Sequence, residues 1–280
     1  MIRQHVEALA TPIEWHEASV EALARWSETE VLEPFGLNLG SYGSARMFWR
    51  DRHLQRNWAW RSPLVPGLFF GLEKLPTALA HLATKNGVSL KKICDLNEEH
   101  VQSILLASCN LIRELSPELF SSVRMFLRSL HVLESPGRGY DVSFSLPCLP
   151  NSVFLSIPQP SEHDTTSRLT EAIVHEVLHL QLSLVERICP LVRNDAEQEF
   201  AYSPWRDERR PLGGLIHGLF VFRGLELLWK RVARNHLVSI FNFAKNRVEE
   251  IRRQCALVEP LEYRSLTSFG QKIFLRLVEA

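Results

Sequence analysis

The segment "EAIVHEVLHLQLSLVERI", residues 171–188, contains no proline or glycine and sets apolar side chains on nearly every side of a helix. A helix of that kind belongs in a core, yet this one carries His175, Glu176 and His179. Burying such groups without partners costs free energy, and a metal ion is an economical partner. Residues four apart stack on one helix face, so both imidazoles can offer a nitrogen to a single ion. Glu176 stands about 100° further round and borders that position without having to bind the ion. This is the H-E-x-x-H arrangement, in which the glutamate of zinc peptidases serves as general base toward metal-bound water. The extended metzincin form needs glycine at 182 and histidine at 185. Leu182 and Val185 occupy those positions and exclude it.

Two histidines need at least one further ligand. His217, in "PLGGLIHGLF" near the start of the next long helical segment, is the favoured residue. Gly213, Gly214 and Gly218 beside it permit close backbone approach. Glu186, Asp195, Glu197 and Glu226 are the carboxylate alternatives; Glu226 lies about two and a half turns beyond His217, a long reach to the same ion. Arg206 in "SPWR" and Arg210 in "RRP" shortly precede His217, and either guanidinium could clamp a carboxylate bidentately. The later cations Arg223, Lys230, Arg231, Arg234, Lys245, Arg247, Arg252 and Arg253 read as a solvated helix face, with an acidic peptide partner as the second reading.

Periodicity sets the frame around this centre. Residues 14–33, 68–86, 98–115 and 116–135 have helical spacing, with Asn97 and the Ser116–Pro117 pair as helix openings. Residues 34–67 are rich in glycine and aromatics and show little period. Tyr140–Leu146 and Ser152–Ile157 alternate and read as two neighbouring strands, a hairpin. Thr166, Ser167 or Thr170 could cap the motif helix, and Pro190 ends it. A polar stretch over 191–214 precedes helical segments that run to the end. The expected fold is α+β, predominantly helical with a small antiparallel sheet. It forms a single domain over 1–280, in which a helical N-terminal region (residues 1–135) packs on a metal-binding region (residues 136–280). The metal site lies between the HExxH helix and a later helix.

Composition narrows the partners. Thirty-two basic residues balance thirty-two acidic ones, which removes any bulk electrostatic basis for binding nucleic acid or an anionic membrane. No run of eighteen apolar residues indicates a spanning helix, and the opening residues lack an apolar core of signal-peptide type. Five scattered cysteines with no CxxC fit free thiols in a reducing compartment, so a cytoplasmic location is expected. The oligomeric state is not specified by any of these features.

Taken together, "VHEVLHLQL", "SPWR", "RRPLGG" and "HGLFVF" resemble the HExxH family of peptide-modification proteins, over roughly 136–235. Some members of that family are iron(II)- and 2-oxoglutarate-dependent peptide β-hydroxylases acting on ribosomally made precursor peptides. The resemblance implies iron(II) held by His175, His179 and His217, with dioxygen as cosubstrate. It also implies an arginine on the distal carboxylate of 2-oxoglutarate, Arg210 ahead of Arg206. Three histidines depart from the usual two-histidine, one-carboxylate triad of such oxygenases. Glu176 then has no necessary base role and would orient a ligand, bound water or a substrate amide. The alternatives are a zinc(II) metallopeptidase with Glu176 as general base, and a non-enzymatic peptide-binding protein.

Overall fold

The structure is a computed structural model of the chain. It describes residues 19–20, 22–23, 97–127, 129–135, 137–146, 152–196, 199–234, 238–259 and 263–279, together with the backbone of two strands at 58–65 and 68–73. Most of the helix expected over 14–33 lies outside the described residues, as do residues 34–57, Cys94 and Cys148. Cys109, Cys189 and Cys255 are free thiols.

In chain order the elements are β1 (Trp58–Val65), β2 (Leu68–Glu73), α1 (Glu98–Leu115), α2 (Pro117–Phe126), β3 (Ser129–Leu133), β4 (Ser143–Ser145) and β5 (Ser152–Ser156). The motif helix α3 (Thr165–Ile188) follows, then β6 (Phe200–Ser203), β7 (Glu208–Pro211), α4 (Leu212–Arg234), α5 (Phe241–Cys255) and α6 (Ser268–Glu279). The described residues are mostly helical with small sheets, an α+β architecture.

Local chemistry explains most boundaries. Asn97 caps α1 by accepting from the His100 N–H, and Glu98 and Glu99 face the positive end of the helix. Ser116 caps α2 through the Leu119 N–H, with Pro117 at its first position. The start of α3 differs from expectation. It begins at Thr165 after Asp164 in a left-handed conformation (φ 53°), with no side-chain cap, so Thr166, Ser167 and Thr170 all lie inside the helix.

Three expectations are corrected. The helix expected over 68–86 opens instead as strand β2, and the one over 116–135 stops at Phe126 before strand β3. The N-terminal region expected to be helical, residues 1–135, therefore contributes three of the five strands. The main sheet is mixed rather than antiparallel. Its order is β1-β2-β3-β5-β4, with β2–β3 and β3–β5 parallel and the other pairs antiparallel. The chain between β2 and β3, containing α1 and α2, is long enough to make the crossover that a parallel pair requires. The expected hairpin survives as the antiparallel β4–β5 pair at the sheet's edge.

Helix α3 packs on that end of the sheet, with α1, α2 and α4 against it. Its Leu169, Ile173, Val177, Leu180 and Leu184 are buried in the main core. Leu212–Val232 of α4 contains an 18-residue window of mean hydropathy 1.3, enough in length and composition to cross a membrane, but 72% of that window is buried within the protein. Glu226 is itself buried there and receives Arg223, Lys230 and Arg252, each at 2.7 Å. Several of the cations read as a solvated face are thus internal ties: three hold Glu226, and Arg247 pairs with Glu171 at 2.7 Å.

Candidate metal centre

Helix α3 presents His175, His179, Ser183 and Glu186 along one stripe, since offsets of four, eight and eleven residues return to the same face. All four line a cavity of about 660 Å³. Ser143 to Ser145 of β4 form another wall, and Arg187, Arg206, Arg210 and His217 contribute to the remainder.

The Nε2 atoms of His175 and His179 stand 3.2 Å apart. Two nitrogens bound to one tetrahedral ion at zinc–nitrogen distances are separated by roughly 3.3 Å. At right angles in an octahedral shell of the same bond length the separation is about 2.9 Å. The pair therefore fits two ligands of one cation and does not select its geometry. His217 joins from α4, its ring nearly parallel to His179 at 15° and 5.7 Å between centroids. It meets His179 through the other edge: Nδ1 faces Nδ1 at 3.4 Å, while Nε2 of His217 lies 2.9 Å from Glu186 Oε2. Among the described residues, accordingly, no three His, Cys, Asp or Glu side chains already surround a single point in a metal-holding set. Glu226 is turned to its own cations on α4 and α5, and Asp195 pairs with Arg193. Glu197 lies outside the described residues.

Electrostatics keep His175 and His179 uncharged. Burial pushes the His175 pKa down to about 4, aided by the Arg206 and Arg247 charges. Burial, the two neighbouring imidazoles, and then Arg210 and Arg206 hold His179 well below the ordinary value. Neutral rings are the form a metal requires. Glu176 moves the other way, to about 7: burial outweighs the hydroxyls of Ser143 and Ser145 and the charge of Arg206. Its Oε1 accepts from Ser143 Oγ at 2.7 Å and lies 4.0 Å from His175 Nε2.

The stretch read from sequence as a polar connection contains the β6–β7 hairpin. Its turn carries Asp207 at φ 53°, held by Tyr202 Oη at 2.7 Å, and places Trp205 and Arg206 at the tip. Trp205 lies over Gly218 of α4, where an added Cβ would collide with the indole. It also packs against Phe222, which in turn meets His175 edge-on. Added Cβ atoms at Gly213 and Gly214 would sit 3.9 Å from Glu186 Oε1 and Arg210 Nε, ordinary contact distances. Gly218 is therefore the glycine that close approach demands. Arg206 reaches the cavity with no carboxylate paired to it among the described residues, whereas Arg210 Nε is 3.6 Å from Glu208.

No family model and no curated protein matches the chain.

Sequence reasoning passed over Trp205, Ser143 and Ser145. The glycine of "HG" was the available signal for the first, and nothing in a three-residue strand announces the other two. Gly218→Ala is expected to cost about 1–3 kcal/mol in chemical denaturation, and to be near neutral in a Trp205→Ala background, where the clash is gone.

Proposed function

We propose that the chain is an iron(II)- and 2-oxoglutarate-dependent hydroxylase acting on a residue of a ribosomally made peptide. The observation that carries this reading is the Arg206 guanidinium, without an ion pair among the described residues, on the wall of the same cavity as two uncharged imidazoles with facing Nε2 atoms. His175 and His179 would hold the iron, with His217 as the further donor at hand. When bound, iron(II) with 2-oxoglutarate and dioxygen would insert one oxygen atom into a carbon–hydrogen bond, releasing succinate and carbon dioxide.

The chain's own residues supply binding, orientation and shielding. A guanidinium fork matches a carboxylate bidentately, and Arg206 is the better placed of the two candidates because it makes no ion pair among the described residues, whereas Arg210 Nε is 3.6 Å from Glu208. Arg210 stands beside it as the second. Trp205 and Phe222 pack behind His175 and restrict its ring. A peptide substrate is supported by the edge strand. Ser156 N–H donates to Val142 C=O, so antiparallel alternation turns the N–H and C=O groups of Ser143 and Ser145 away from β5. Among the described residues no strand pairs with that edge, whose residues line the cavity and could hold an extended backbone across it. Ser143 also fixes Glu176, which borders the imidazole pair and could receive a substrate amide.

One observation favours a second reading. A glutamate with a pKa near 7, 4.0 Å from a ligand histidine, suits the general base of a zinc peptidase.

Purified protein supplied anaerobically with iron(II), then with 2-oxoglutarate, oxygen and a candidate peptide, is expected to form succinate and raise the peptide mass by one oxygen. Arg206→Ala should raise the KM for 2-oxoglutarate by about tenfold or more, the loss of a charge-assisted hydrogen bond. Glu176→Gln separates the readings. A hydroxylase keeps its succinate yield to within about tenfold, whereas a peptidase loses about 10²–10⁴ in rate with its base. Peptide cleavage with zinc, and no mass gain with iron, would establish the peptidase instead.

A further inference from the structure

Glu186 belongs to no part of the H-E-x-x-H pattern, yet it ends the stripe that begins at His175, three turns along α3. Its Oε2 lies 2.9 Å from Nε2 of His217, a residue of a different helix. His217 Nδ1 lies 3.4 Å from His179 Nδ1, and His179 Nε2 lies 3.2 Å from His175 Nε2. The three contacts form one chain, and its first member settles the rest. An ionised carboxylate only accepts, so the proton of a neutral His217 ring sits on Nε2. The Nδ1 of that ring is then bare. Two facing nitrogens share one proton, so in the next contact it must sit on Nδ1 of His179. His179 is left with a bare Nε2, which in the third contact faces a proton on Nε2 of His175, the proton that a bound cation displaces.

We propose that Glu186 is a positioning residue of the metal centre: through His217 it fixes the tautomer of His179 and keeps that ring's Nε2 free to bind a cation. The proposed tautomer follows from the hydrogen-bond chain with Glu186 ionised and the rings neutral; its purpose rests on the metal reading above. The same chain gives His217 a defined task in the metal-free protein, as the imidazole that transmits the preference of Glu186. Outer carboxylates that hold a histidine's second nitrogen raise the basicity of the first and fix the ring's orientation. Here the carboxylate acts one ring further away. Glu186 is about one-third exposed and His217 half as much, so the pair lies on the cavity wall and can be altered without opening the core.

Long-range nitrogen–proton spectra of the metal-free, histidine-labelled protein at pH 7.5 test the tautomers directly. The expected pattern is a proton on Nε2 of His217 and on Nδ1 of His179. Glu186→Gln keeps an accepting carbonyl and should keep the pattern; Glu186→Leu should lose it. Cobalt(II) competition titrations should then show affinity within a few-fold of wild type for the glutamine variant and about 10–100-fold weaker for the leucine variant. Equal melting temperatures of the metal-free proteins would show that folding is not the cause. A His179 ring protonated on Nε2 in the wild type overturns the proposal, as does a folded leucine variant that binds cobalt as tightly as wild type. Wild-type protein that binds no metal ends the metal reading instead, and the tautomer pattern still decides the role of Glu186.

Discussion

Two imidazole nitrogens 3.2 Å apart on the face of a buried helix are a costly feature in a protein core. The surroundings of α3 are organised around that cost. Burial keeps both rings uncharged, the sheet edge supplies Ser143 to Glu176, and α4 brings His217 to the far side of His179. A cation between the two Nε2 atoms would displace the proton they share and take both as ligands. The apolar remainder of α3 makes the arrangement tolerable, because Ile173, Val177 and Leu180 anchor the helix whatever the histidines hold.

The second constraint is one of reach. The Arg206 side chain comes from a two-stranded hairpin that contributes little to the core, so its position depends on how the hairpin tip is seated. Trp205 provides the seat by filling the space that Gly218 leaves open. Since Gly218 follows His217 directly, the glycine that admits the indole and the histidine that meets His179 lie on the same turn of α4. A change at this turn therefore reaches both the arginine and the imidazoles.

What could be read from the chain followed from how local its cause was. The His175–His179 stripe, the Asn97 and Ser116 caps and the β4–β5 hairpin each arise from residues within a few positions, and each was legible. Strands β2 and β3 were not, because "LFFGLE" and "SLHVL" are short apolar runs with no period to distinguish a buried strand from a helix. The β6–β7 hairpin is polar and largely exposed, which is also how a loop reads. Within the site, the cluster of His217 with Arg206 and Arg210 was suggested by nearness in sequence. The contact of Glu186 with His217 spans 31 residues, and only folding reveals it.

All of this depends on whether His175 and His179 hold a metal ion together. Calorimetric titration of cobalt(II) into wild-type protein and His179→Ala measures that directly, with melting curves to establish that both are folded. The account predicts one ion per chain for the wild type and loss of that site in the variant. Uptake that is absent in the wild type, or unchanged in the variant, would contradict it.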